Sequence, residues 1–230
     1  ERGLHLHAKM ILEKARKEAL EQEHFTTAIS IIHTELEVFS KMEDEMPISV
    51  RMELLRQEQE SLDKQSNVCA YKLLMWQVME IHTKRGTGLS EADRQALGTL
   101  LDSPLLKDKS HAKSVTALDV YYYTLTTALY SLGKEIEIAA AYREHLALAE
   151  QHTWVVDFPS YLGMVINHIS ILINISDQEA ALAEMDKLKA LKAPNSQAQQ
   201  HLEKHRTLLL LSSYLQLQKL EEARQLAAEM

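Results

Sequence analysis

Glycine and proline are both scarce in this chain, with 6 and 4 among 230 residues. Few positions therefore require a positive φ, and few backbone donors are missing. Cysteine is scarcer still. The single Cys69 excludes an internal disulfide framework and a cysteine-based zinc site. In the run Val68-Cys69-Ala70 it reads as a small buried hydrophobe. No basic stripe exists either: the 25 Lys and Arg are scattered and the net charge is −8. A phosphate backbone finds no track on such a surface, which argues against nucleic-acid binding by this region. No signal peptide or membrane-spanning segment is visible. The most apolar window, Leu162 to Ile175, is interrupted by Asn167, His168 and Asn174. The chain opens on Glu1 and closes at Met230 inside a helical pattern, so residues 1–230 are expected to be a region of a longer protein. A cytoplasmic location is favoured, and the periplasm stays open if a signal peptide has been removed.

What is present is helix-forming sequence. Apolar residues make up 46% of the chain, and long runs combine Leu, Ala, Glu, Lys and Gln. The clearest unit spans residues 118–151. Leu118, Tyr122, Leu125, Leu129 and Leu132 recur at steps of four and three, which keeps one face of a 3.6-residue helix. Gly133 supplies a left-handed C-terminal position. A second helix restarts at once, with Ile136, Ala139, Ala140, Leu146 and Ala149 available to pack back. So short a turn makes the pair an antiparallel helical hairpin.

The remaining chain divides in the same way. Helices are expected over residues 4–22, 25–42, 48–64 and 67–82. The segment Asn67 to His82 is apolar on almost every side, which predicts a buried helix with Trp76 in the core. Lys84 to Gly88 reads as a loop. Ser90 and Asp93 form a capping-box pattern opening a short helix to Leu101. After a break at Asp157-Phe158-Pro159 a helix runs to about 174, a capping pattern at Ser176 to Glu179 opens the next to about 192, Ser196 with Gln199 caps another to about 217, and a turn at Gln218-Lys219 begins the last.

The turns repeat. Lys134 and Asp177 are 43 residues apart, Asp177 and Lys219 are 42 apart, and His24 and Ser66 are 42 apart. A period of this size means stacked helical hairpins. The longer gap from Ser66 to Lys134 holds one extra helix, residues 90–101. The expected fold is therefore all-α: one domain of about five hairpins with one odd helix.

The chain resembles the tetratricopeptide-repeat family. The matching residues are Tyr122, Leu125, Leu129, Gly133 and Tyr142, together with Phe25-Thr26-Thr27-Ala28, Glu179-Ala180-Ala181-Leu182 and Leu220-Glu221-Glu222-Ala223. The period departs from the standard repeat of about 34. The small residue expected in the first helix is Thr126 in one hairpin and Ile169 in the next. The resemblance implies a right-handed superhelix, an α-α solenoid with a concave groove. It is similar to the divergent long-helix repeats of bacterial regulators, where such arrays precede a histidine kinase or a helix-turn-helix domain.

Chemistry is harder to find. His201 and His205 stand at i and i+4 without a third ligand, and His5 and His7 lie near an end. His168 sits in an apolar helix and reads as a core residue. Carboxylate pairs such as Glu221-Glu222 read as solvated faces. No nucleophile occupies a recognisable turn, so no enzyme, cofactor or metal is expected. The functional expectation is a protein or peptide partner held in the groove, and a homodimer is compatible with it. The alternative is a small-molecule-sensing domain coupled to an effector. In the repeat register, Val120, Tyr123, Thr127 and Tyr130 face the groove, with Ile166, Ser170 and Asn174, then Leu208, Ser212 and Gln216, as counterparts. Tyr122 supports the fold instead.

Overall fold

A computed structural model describes residues 2–40, 47–84 and 88–228; the side chains of residues 2–6, 40, 201, 204 and 205 lie outside that description. Among the described residues every regular element is helical and no strand occurs. The helices are α1 (Arg2–Glu21), α2 (Phe25–Ser40), α3 (Ile48–His82), α4 (Glu91–Leu101), α5 (Pro104–Lys107), α6 (Val115–Leu132), α7 (Glu135–Gln151), α8 (Phe158–Asn174), α9 (Gln178–Ala190), α10 (Ser196–Gln216) and α11 (Leu220–Ala228), with a 3-10 turn at Lys109–His111. Consecutive helices pack on one another: α1 on α2, α7 on α8, α8 on α9, and α10 on α8, α9 and α11. This sequential order is compatible with a helical repeat.

Four hairpins share one turn. Glu23, Gly133, Ser176 and Gln218 all have positive φ, at 55°, 72°, 63° and 57°. In each, the next residue's N–H reaches back five positions: His24 to Ala19 O, Lys134 to Leu129 O, Asp177 to Leu172 O and Lys219 to Tyr214 O, at 2.8–3.1 Å. The positive-φ residue itself donates to a carbonyl three positions back. This paired closure is the Schellman motif, and it satisfies the last carbonyls of the first helix. The second helix then opens on its own repeated bond, from Ala28, Ile138, Ala181 and Ala223 to the carbonyl four residues earlier. All four of those side chains are buried.

The chain forms two compact units, Glu1–Gln77 with Ser103–Tyr121, and Val78–Asp102 with Tyr122–Met230. The first is built on α1, α2 and most of α3. Ile32, Phe39 and Leu54 form its apolar centre, with Leu36 against them. A buried ion pair runs through it: Arg16 Nε donates to Glu35 Oε1 at 3.0 Å, and the Arg16 guanidinium also reaches Gln57. Burial raises the Glu35 carboxyl above its ordinary value, and the Arg16 bond opposes that. The second unit is the larger. Leu162, Met185, Leu188 and Leu202 are fully buried at its centre, with Leu146, Val165, Leu210 and Tyr214 around them. Val78, Ile81, Leu97 and Ala128 form a neighbouring cluster, which places α4. The Ser90–Asp93 capping box expected from sequence is formed, with Asp93 N–H donating to Ser90 Oγ at 3.1 Å.

The second of the five expected hairpins does not exist. Residues 48–64 and 67–82 belong to one continuous helix, α3, and Ser66 lies inside it. The sequence Lys64-Gln65-Ser66-Asn67 contains weak helix formers but no breaker. Asn67 is helical within it, and its side-chain amide clamps a loop: Nδ2 donates to His111 O at 3.1 Å, and Lys113 N–H donates to Oδ1 at 2.9 Å. The helix is also not buried all round. Val68, Tyr71, Val78 and Ile81 face the interior, whereas Leu73 and Trp76 are 68% and 66% exposed, and Cys69 is exposed. The apolar residues of Asn67 to His82 fall on two opposite faces, and only one of them is covered.

Candidate functional site

The three consecutive tyrosines of α6 separate cleanly. Tyr121 and Tyr122 are buried and Tyr123 is 45% exposed. Tyr122 stacks on the His145 ring at 5.5 Å and donates its hydroxyl to Glu144 Oε2 at 2.6 Å. One residue further round the helix, about 100° on, Tyr123 leaves that packing. Its hydroxyl lies 3.9 Å from Met79 Sδ. Tyr130, two turns further on, is 44% exposed, and its ring stands 6.1 Å from the His82 ring. Thr127 lies between them, half-buried.

His82 holds this end of α3. Its Nδ1 meets Ser131 Oγ at 2.8 Å, and Ser131 Oγ donates to Thr127 O at 2.9 Å. A hydroxyl has one proton; with that proton on Thr127 O, Ser131 accepts from His82 Nδ1–H, which fixes the tautomer.

The counterparts on α8 and α10 are also at the surface. Ser170, Asn174, Ser212 and Gln216 are exposed, as is Leu208; Ile166 is half-buried, and Val120 is buried. Most of the hydroxyls are already used. Thr127 Oγ1 donates to Tyr123 O at 2.8 Å, and Ser170 Oγ donates to Ile166 O at 3.0 Å. Asn174 Nδ2 donates to Glu135 Oε1 at 3.1 Å, across to the start of α7. The rows so placed carry no formal charge. They offer two phenol rings, acceptor lone pairs, the Gln216 amide and exposed leucine. Sequence reasoning missed Met79, His82 and Leu215, the last of which is also exposed. Met79 and His82 lie in the apolar run read as all-round core, so nothing in the pattern separated them.

Of the titratable groups with shifted values, Tyr142 lies close enough to Tyr123 and Tyr130 for both to add to the shift that burial gives it. His168 is buried beside Tyr142, with ring centroids 6.2 Å apart. Burial pushes it below its ordinary value; Glu184 opposes this, while Arg143 and Lys187 add to it. Burial likewise raises the Tyr142 hydroxyl. Tyr161 is pushed up to about 12 by burial and by Glu150, which accepts its hydroxyl at 3.1 Å. Burial also takes Tyr71 to about 12; its hydroxyl donates to Leu105 O at 3.1 Å.

A cleft of about 620 Å³ opens where α8 and α10 begin, lined by Asp157, Phe158, Pro159, Pro194, Asn195 and Gln197 among others. Its two caps are internally satisfied, Asp157 by Ser160 N–H and Asn195 by Ala198 N–H. The Asp157 carboxylate there repels anions. Among the described residues no three His, Cys, Asp or Glu converge on a metal position. The His5, His201 and His205 side chains lie outside the described residues, as does the 85–87 part of the expected loop. No described helix is long and apolar enough to cross a membrane. No protein-family model, curated protein or solved structure matches the chain.

Proposed function

We propose that this chain is a non-catalytic helical-repeat scaffold of the tetratricopeptide type, right-handed in its superhelix. It binds a protein or peptide segment along the face made by α6, α8 and α10. The observation that supports this is the contrast within one helix. Tyr122 is spent on packing, while Tyr123 and Tyr130, on a row of their own, are left half open to solvent. Half-open tyrosines provide apolar area with a polar handle and lose little side-chain entropy on binding. The absence of charge along the rows favours an uncharged, extended peptide with hydrogen-bonding side chains over an acidic or basic one. In a longer protein this would be the interaction or sensory region of a regulator.

The alternative, a small-molecule sensor, draws support from the cleft at Asp157 and Asn195. Its lining divides evenly, with Asp157, Asn195, Gln197 and Gln200 polar and Phe158, Pro159, Pro194 and Ala198 apolar, which is more polar groups than ligand pockets usually carry.

A displayed random-peptide library panned on the purified chain tests the proposal. Peptides enriched on the wild type should be lost on a chain carrying Tyr123→Ala and Tyr130→Ala, and kept on one carrying Trp76→Ala. Equal retention by all three chains would remove the tyrosine face from consideration.

A further inference from the structure

The outer face of α3 carries a seam with no cover. Ile48, Leu55, Leu62, Cys69 and Trp76 follow one another at intervals of seven, and each is exposed. Met52 and Leu73 lie between them at steps of three and four, and both are exposed too. Steps of three and four sustained over 28 residues are the heptad pattern of a coiled-coil seam. The seam runs about 42 Å along the helix. It is distinct from the buried seam of Leu54, Ser61, Val68 and Tyr71, which lies roughly opposite on the helix and packs inward. A large apolar face of this kind marks an interaction surface.

We propose that this seam pairs with the same seam of a second copy of the chain, antiparallel, to form a two-fold dimer. Two properties of the seam select this occupant. The first is its order. From Met52 to Trp76, bulky apolar residues occupy both ends, Met52 and Leu55 at one and Leu73 and Trp76 at the other, and Ile48 lies beyond the match. The middle is small or polar, with Gln59 and Ser66 flanking Leu62. A two-fold contact needs a patch that reads the same from either end. Antiparallel pairing in one register sets Met52 against Trp76 of the second copy, Leu55 against Leu73, and Gln59 against Cys69.

The second property is charge. In that register the flanking position of Glu58, which also meets His33 Nε2 at 2.8 Å within its own copy, faces Lys72 of the second copy, twice by symmetry. A parallel dimer would instead set Arg51 against Arg56 and Glu58 against Asp63, each pair of like sign, although within each copy Arg56 also pairs with Glu53 and Asp63 with Lys113. The antiparallel register does bring Asp63 to the two-fold axis, but Lys113 Nζ neutralises it within each copy at 2.7 Å. Sequence order and charge thus agree on one partner and one direction.

Sedimentation of the purified chain at about 100 µM, which saturates an interface of micromolar affinity, reads the result directly. The wild type should run as a dimer. Leu55→Glu with Leu73→Glu should run as a monomer, with an unchanged helical signal because both positions are exposed. Glu58→Lys and Lys72→Glu should each weaken the dimer at least tenfold, and the two together should restore it. With Gln59→Cys, mild oxidation should link the new thiol to Cys69 of the second copy. A monomeric wild type would hand the seam to a different protein and end the proposal. A Cys69–Cys69 link in the oxidised wild type would overturn the antiparallel direction.

Discussion

Glu23 reaches across 92 residues of sequence to cap α6: its carboxylate accepts Val115 N–H at 2.8 Å and Thr116 N–H at 2.7 Å. A helix N-terminus has unpaired donors and a positive dipole end, and a carboxylate suits both. The same residue holds the positive φ of the first hairpin turn, at 55°. Two roles therefore meet in one side chain. Glu23→Ala keeps the backbone strain and loses the cap, and should cost about 1–3 kcal/mol. Glu23→Gly loses the cap but relieves the strain, so it should be about 1 kcal/mol more stable than the alanine variant. Urea titrations of the two variants separate the effects; equal midpoints would mean the turn stores no strain.

The other turns offer the reverse experiment. Ser176 and Gln218 hold positive φ without glycine, and both are exposed. Ser176→Gly and Gln218→Gly should each stabilise by up to about 1 kcal/mol. Gly133→Ala should destabilise by about as much. A Cβ at Gly133 would meet no atom within 4 Å, so any loss there is conformational and not steric. A calorimetric melting temperature unchanged by all three substitutions would contradict the shared turn geometry.

These turns explain why four hairpins were legible in sequence. The glycine at position 133 marked one turn by its chemistry. The turn at Ser176 was marked by the capping pattern of Ser176 to Glu179, although the cap formed is Asp177, and those at Glu23 and Gln218 by breaks between apolar stripes, which the 42–43 residue period then tied together. The same reasoning failed at Ser66. A period imposed there produced a turn that the chain does not make: the helix runs through Ser66, and Asn67, read as the start of a new helix, instead uses its amide to hold residues 111–113. That contact spans more than forty residues, and no local pattern encodes it. Cys69 and Trp76 were misplaced for a related reason. Hydrophobicity alone cannot tell a face covered by its own chain from one left for another molecule, although the sevenfold spacing of the outer seam was present in the sequence throughout. The α6 rows were readable because Tyr122 and Tyr123 fall into different stripes.

Acid should weaken the second unit through His168. In the folded chain its imidazole is held below the ordinary value of 6.5 by burial, so the folded state stays neutral where the unfolded chain takes up a proton. The unfolded state then binds more protons, and stability falls as pH drops from 6.5 toward the folded value. The slope contributed by one such group is at most about 1.4 kcal/mol per pH unit. Glu35 acts in the opposite sense. Its raised carboxyl adds stability that is present below 4.5 and lost as pH rises through its folded value. The informative quantity is therefore the difference between the wild type and His168→Leu. Denaturant midpoints between pH 7 and pH 5 should fall less steeply for the variant. Parallel profiles would show that His168 does not titrate on unfolding in this range.

The tyrosines and Trp76 give the sharpest contrast in stability. Tyr122 is 4% exposed, stacked on His145 and bonded to Glu144. Tyr122→Ala empties a large aromatic site and should cost about 3–5 kcal/mol. Tyr123 and Tyr130 have nearly half their surface in solvent, with the Tyr123 hydroxyl against Met79 and the Tyr130 ring beside His82. Tyr123→Ala and Tyr130→Ala should each cost less than about 1.5 kcal/mol, because much of the ring is already hydrated in the folded state. Trp76 is more open still. Trp76→Ala should change the stability of the isolated monomer by less than about 1 kcal/mol, although it is one of the largest side chains in the chain. The measurement has to be made on the Leu55→Glu, Leu73→Glu background, so that loss of a dimer contact is not read as loss of folding. A cost for Tyr123→Ala equal to that for Tyr122→Ala would mean that the Tyr123 ring is needed for packing, and the exposed row could then no longer serve as a surface free to bind.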